Sequence, residues 1–78
     1  MTTALIADDE PQLLDELQQL LADAWPDLDI VGRARNGTEA RRLLDELRPD
    51  IAFLDIRMPG IDGLALAGLA PAGTRLVF

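Results

Sequence analysis

The chain alternates short, wholly apolar runs with longer segments in which apolar residues recur every three or four positions. Ala4, Leu5, Ile6 and Ala7 form the first run, which stops at three consecutive acids, Asp8, Asp9 and Glu10. A run of this length bounded by charge predicts a first strand, covered on both faces of a sheet. From Pro11 the period changes: Leu13, Leu14, Leu17, Leu20, Leu21 and Ala24 recur at helical spacing, with Asp15, Glu16, Gln18, Gln19 and Asp23 between them. Pro11 suits a first helical turn with Asp9 as its cap, and Pro26 ends the segment because it has no N–H to continue the ladder.

After a turn at Pro26 and Asp27, the stretch from Asp29 to Arg35 reads as a second strand, weakened by Gly32 and polar at its ends, as at a sheet edge. Asn36 followed three residues later by Glu39 has the form of a helix start, and Ala40, Leu43, Leu44 and Leu47 give the second helix its apolar face before Pro49. Ile51, Ala52, Phe53 and Leu54 then repeat the first motif, an apolar run ending in an acid, Asp55. Beyond it come a loop containing Met58, Pro59, Gly60 and Gly63, a short third helix over 64–69, a turn at 71–73, and a fourth strand ending Leu76, Val77 and Phe78. Alternating strands and helices predict an α/β fold: a parallel sheet with right-handed crossovers and helices on both faces.

Composition narrows the chemistry. The 78 residues carry 14 acids against 7 bases, all Arg, with no His, Cys, Lys or Tyr. Disulfides, thiolate nucleophiles, imidazole bases and Cys/His zinc sites are therefore excluded, and any metal chemistry is carboxylate chemistry. The net charge of -7 lies wholly in residues 1–39 and opposes binding to nucleic acid phosphates or anionic lipid. No apolar run approaches the roughly 18 residues that span a bilayer, and the start lacks the basic flank of a secretion signal, so a cytoplasmic location and no membrane partner are expected.

In open parallel sheets, ligands bind beyond the carboxyl ends of the strands. Asp8, Asp9 and Asp55 belong there, and adjacency of the first and third strands would bring them together. Three converging carboxylates call for a hard divalent cation with oxygen ligands, and Mg2+ fits best because it accepts one or two carboxylates, waters and phosphate oxygens. Such a site would let an Asp55 oxygen attack phosphorus to form an acyl phosphate. The bland alternative for Asp8, Asp9 and Glu10 is a solvated strand end with acids at a helix N-terminus. Asp55, ending a second apolar strand, weighs against it.

At this point ADDEP at 7–11 and FLDIRMPGIDG at 53–63 resemble the receiver domain of two-component response regulators, and GRARNGTEARRLLDELRPD between them resembles that family's second strand and helix. The resemblance implies a flavodoxin-like, doubly wound sheet of strand order 2-1-3-4-5. It also implies that residues 1–78 form about the first two-thirds of the domain, ordered 2-1-3-4 with the fifth strand absent. It makes Asp55 the phospho-acceptor, Asp9 a direct Mg2+ ligand, Asp8 a ligand mainly through metal-bound water, and the backbone carbonyl of Arg57 the third protein ligand. Met58, Pro59, Gly60 and Gly63 shape the loop beside Asp55. The family's switch residues, a Thr or Ser ending the fourth strand and a Lys ending the fifth, have no counterpart in these residues; Thr74 precedes the apolar part of its strand.

The implied partner is a sensor histidine kinase, with the first helix contributing to its recognition, and the implied outcome is control of a downstream output domain. The wording LDIRMPGIDG is similar to receivers that carry a LytTR-type DNA-binding domain, so DNA binding and transcription control would belong to that absent domain. Such a receiver is a phospho-acceptor signalling module rather than an enzyme. An exposed fourth strand invites homodimer or strand-edge pairing and suggests a piece of a longer chain or a partner-stabilised fragment. A degenerate receiver acting only as an interaction module is the competing function. A haloacid dehalogenase-like phosphatase, which also uses Asp and Mg2+, expects a DxD motif that DDE at 8–10 does not match. Trp25, after the first helix, reads as a packing cap.

Overall fold

The computed structural model describes residues 1–55 and 72–78. Among these the element order is β1 (Thr3–Ala7), α1 (Pro11–Ala24), β2 (Asp29–Ala34), α2 (Gly37–Leu47), β3 (Ile51–Leu54) and β4 (Arg75–Val77). The four strands form one parallel sheet of order β2-β1-β3-β4, the predicted partial doubly wound α/β arrangement. The expected third helix over 64–69 lies outside the described residues.

Strand β1 forms where the sequence is apolar without interruption because both its faces are covered: Ala4, Leu5, Ile6 and Ala7 are all buried. Successive side chains point to opposite faces. Leu5 and Ala7 join Ala34, Ala52, Leu54 and the helical Ala40 and Leu44 in one core cluster, which fixes α2 on that face. On the other face Leu14 of α1 is buried, and Leu17 borders the same cavity as Phe53.

Helix α1 starts one residue later than the sequence implies. Its N-cap is Glu10, whose side chain makes no capping bond; Asp9 is not the cap, and the Asp8 Oδ1 instead accepts the Glu10 N–H at 3.0 Å. The apolar face is also narrower than the full set of leucines. Leu14, Leu17 and Leu21 turn inward, whereas Leu20 is 65% exposed, and Leu13 and Ala24 are exposed beside it on the flank. Helix α2 begins as its motif predicts, with Asn36 Oδ1 accepting the Glu39 N–H at 2.8 Å. It ends at Arg48, whose N–H still donates to the Leu44 carbonyl at 3.1 Å and whose left-handed backbone (φ 45°) then turns the chain out of the helix before the buried Pro49.

Gly32 has a definite task. The β1–β2 register shifts after Ala4↔Ile30, so that Leu5 faces Gly32 and Val31 is left over as a bulge. A Cβ at Gly32 would stand 2.8 Å from Leu47 Cδ1 and 3.1 Å from Leu5 Cδ1. The missing side chain lets α2 pack against the edge strand.

A clamp holds the far end of the sheet. The Thr3 N–H and Oγ1 donate to Asp50 Oδ2 at 2.9 and 3.2 Å, and the Asp50 N–H donates back to Thr3 Oγ1 at 3.0 Å. Thr74 Oγ1 donates to the Pro49 carbonyl at 2.6 Å, and the Arg75 N–H donates to the Asp50 carbonyl at 2.9 Å.

Two substitutions test these assignments by urea denaturation. Asn36→Ala removes a cap and is expected to cost about 1 kcal/mol. Gly32→Val forces Leu5 and Leu47 apart and is expected to cost roughly 1–3 kcal/mol; an unchanged midpoint would contradict the close approach.

Candidate functional site

The site is built by register. Ala7 is paired with Ala34 on one side and with Leu54 on the other, so three strands reach their carboxyl ends at the same level. Two hydrogen bonds seal that level: the Asp8 N–H donates to the Ala34 carbonyl, and the Asp55 N–H to the Ala7 carbonyl, each at 3.1 Å. Asp8 and Asp55 are thus the first residues past the ladder on neighbouring strands, although 47 positions separate them in sequence.

Asp8, Asp9 and Asp55 each offer a carboxylate oxygen, and these oxygens all lie within 4.8 Å of one another. Asp8 and Asp55 are half-buried and Asp9 is exposed. Asp8 is anchored through its bond to the Glu10 N–H, which also holds the chain as it turns into α1. A cavity of about 230 Å³ opens beside Asp8 and Asp55, and its described walls are otherwise apolar: Ala7, Leu17, Phe53, Leu54, Val77 and Phe78. The walls of the site are thus mainly apolar and its rim is charged.

The donor set suits a hard divalent cation. Two oxygens on one Mg2+ stand about 3–4 Å apart at roughly 2.1 Å per bond, so carboxylate oxygens within 4.8 Å of one another could share one cation directly or through a bound water. The acidic triad brought together is the set named from the sequence. The other residues named there, Arg57, Met58, Pro59, Gly60 and Gly63, lie outside the described residues. Thr74 is engaged with Pro49 at the opposite end of the sheet, away from the carboxylates. One neighbour was not singled out by motif: Arg35, the first residue past β2, at the same level as Asp8 and Asp55. The register alone reveals it.

The partial doubly wound sheet and the acidic triad at its carboxyl edge are those of a receiver-type signalling module, and comparison with known proteins agrees. Residues 4–69 match the response regulator receiver domain family, and the chain belongs to it. It is 51% identical over 65 residues to a response regulatory protein of Vibrio cholerae, covering 83% of this chain and 25% of that protein. It is 45% identical over 69 residues to the transcriptional regulatory protein BtsR of Salmonella typhi, covering 88% of this chain and 28% of that one. The chain therefore spans about a quarter of the length of these curated relatives. Among solved structures it resembles a LuxR-family DNA-binding response regulator from Staphylococcus aureus, with TM-score 0.81 and 29% identity over 97% of this chain and 65% of that one. The receiver domain of a DNA-binding response regulator from Colwellia psychrerythraea gives TM-score 0.76 and 32% identity, covering 94% and 61%. Receiver domains take up a phosphoryl group themselves as signalling modules and are not enzymes acting on a separate substrate. No helix among the described residues is long and apolar enough to cross a membrane.

Clustered like charges predict opposite responses to one substitution. Each pair of carboxylates at this spacing repels by about 1 kcal/mol in a water-like medium. Asp9→Asn is expected to raise the thermal midpoint without divalent cation and to shrink the further rise that Mg2+ gives the wild type. Scanning calorimetry with and without Mg2+ reads both effects.

Proposed function

We propose that Asp55 is the phospho-acceptor, that Asp9 is a direct Mg2+ ligand, and that Asp8 acts mainly through metal-bound water. The observation that carries this reading is the meeting of the three carboxylates at the ends of adjacent parallel strands. An Asp55 oxygen attacks phosphorus and forms the P–O bond of an acyl phosphate. The bond from phosphorus to the donor's leaving group breaks, and that group departs with the electron pair. Bound Mg2+ would offset carboxylate charge and stabilise the transferring oxygens. By the family resemblance the Arg57 carbonyl would complete the ligand set, and Met58, Pro59, Gly60 and Gly63 would shape the adjoining loop.

In this proposal the protein is cytoplasmic, its phosphoryl donor is a sensor histidine kinase, and residues 1–78 are the N-terminal part of a receiver that governs an output domain. Several relatives are regulators by name, including the transcriptional regulatory protein BtsR and a positive alginate biosynthesis regulatory protein of Pseudomonas aeruginosa. They support a transcriptional output, and the LDIRMPGIDG wording supports one of LytTR type.

Intact mass spectrometry after incubation with acetyl phosphate tests the assignment. Addition of one phosphoryl group is expected with Mg2+, and none with a chelator or in Asp55→Asn. Equal labelling of that variant would move the acceptor elsewhere. No labelling of the wild type would leave a receiver-derived interaction module.

A further inference from the structure

The level that carries the site holds a third residue. Ala34, Ala7 and Leu54 are mutual register partners across β2, β1 and β3, so the residues that follow them, Arg35, Asp8 and Asp55, occupy equivalent positions on three adjacent strands. Neighbouring strands lie about 4.8 Å apart, which puts the Arg35 backbone one strand from Asp8 and two from Asp55. Side-chain alternation aims Arg35 away from the face where Ala34 is buried among Ala40 and Leu44. It borders an open groove with Pro11 and Leu14 of α1, Arg33 and Glu39. Arg33 is already paired with Asp15, whereas Arg35 is exposed and enters no ion pair among the described residues.

Charge decides what such a residue does. Three carboxylates with one divalent cation keep one net negative charge, and a phosphoryl donor arrives as a dianion. A guanidinium at the same level cancels the remainder by its charge. Resting on the phospho-acceptor reading above, we infer that Arg35 is a donor-recruiting residue: it draws a small acyl phosphate to the β2 side of the carboxylate row. Glu39 limits the groove's positive charge, so the effect centres on Arg35 rather than on the groove as a whole.

The test compares wild type, Arg35→Gln and Arg35→Lys in two measurements on the full chain. One is the second-order rate constant for uptake from acetyl phosphate at low and high salt; the other is the Mg2+ dissociation constant by calorimetric titration. Removing one charge at this range is expected to slow uptake about three- to tenfold at low salt, a deficit that narrows as salt screens it. Arg35→Lys should retain most of the rate. Mg2+ should bind Arg35→Gln as tightly as wild type or more tightly, because a cation beside its ligands has gone. A rate for Arg35→Gln within about twofold of wild type at low salt would overturn the inference while leaving Asp55 as acceptor. Weaker Mg2+ binding in that variant would also overturn it, since damage to the site would then explain the loss. Absence of any wild-type uptake that Asp55→Asn abolishes would instead sink the phospho-acceptor reading.

Discussion

Strand β1 is hydrogen-bonded along both edges and buried on both faces, and that double constraint places everything else. Its partners on either side are fixed by register, so the level at which β1 runs out is also the level at which β2 and β3 run out. Its side chains must also fit two different helices, one on each face. Slippage by one residue here would turn Leu5 and Ile6 to the wrong helices, and misfit packing of this kind typically costs about 1–3 kcal/mol. The position of Asp8 relative to Asp55 is therefore a product of core packing. Repulsion among the carboxylates opposes it and is overcome by the strands beneath.

The opposite end of the sheet complements this arrangement. Thr3, Asp50 and Thr74 supply side-chain bonds where the strands begin, tying β1, β3 and the start of β4 together. The Thr3–Asp50 bonds are exposed to water and each contributes modestly, whereas the Thr74 bond to Pro49 is partly buried. Their geometric role is larger, because a parallel sheet anchored at its start and sealed at Asp8 N–H and Asp55 N–H has little freedom to shear between. The polar chemistry at the two ends differs accordingly: paired donors and acceptors at one, crowded carboxylates at the other.

Much of this was legible in the sequence, and the reasons are local. Ala4–Ala7 and Ile51–Leu54 announced buried strands because few contexts other than a two-faced sheet accept uninterrupted apolar runs bounded by acids. Asn36 and Glu39 announced a helix start because the spacing matches the bond between them. The α1 cap was misplaced because Asp8, Asp9 and Glu10 all have capping chemistry, and the choice among them depends on how the chain leaves β1. The stripe on α1 was overestimated because Leu13, Leu17, Leu20 and Leu21 are equivalent as letters, and only the position of the sheet separates those facing in from those on the flank. The Val31 bulge and the place of Arg35 were invisible for the same reason: both are properties of pairing between strands distant in sequence.

Trp25 sits at the end of α1 remote from the acids, bordering a depression with Thr2, Asp50, Gly73 and Arg75. A helix of 14 residues spans about 21 Å, so the indole is far outside the range at which a bound cation or acyl phosphate would quench it by contact. It is the chain's sole Trp and there is no Tyr, so ultraviolet emission comes from one place. A change in that emission on loading the carboxylates would be an optical measure of displacement carried through the sheet and α1, while silence would mean that the far end behaves as a rigid base.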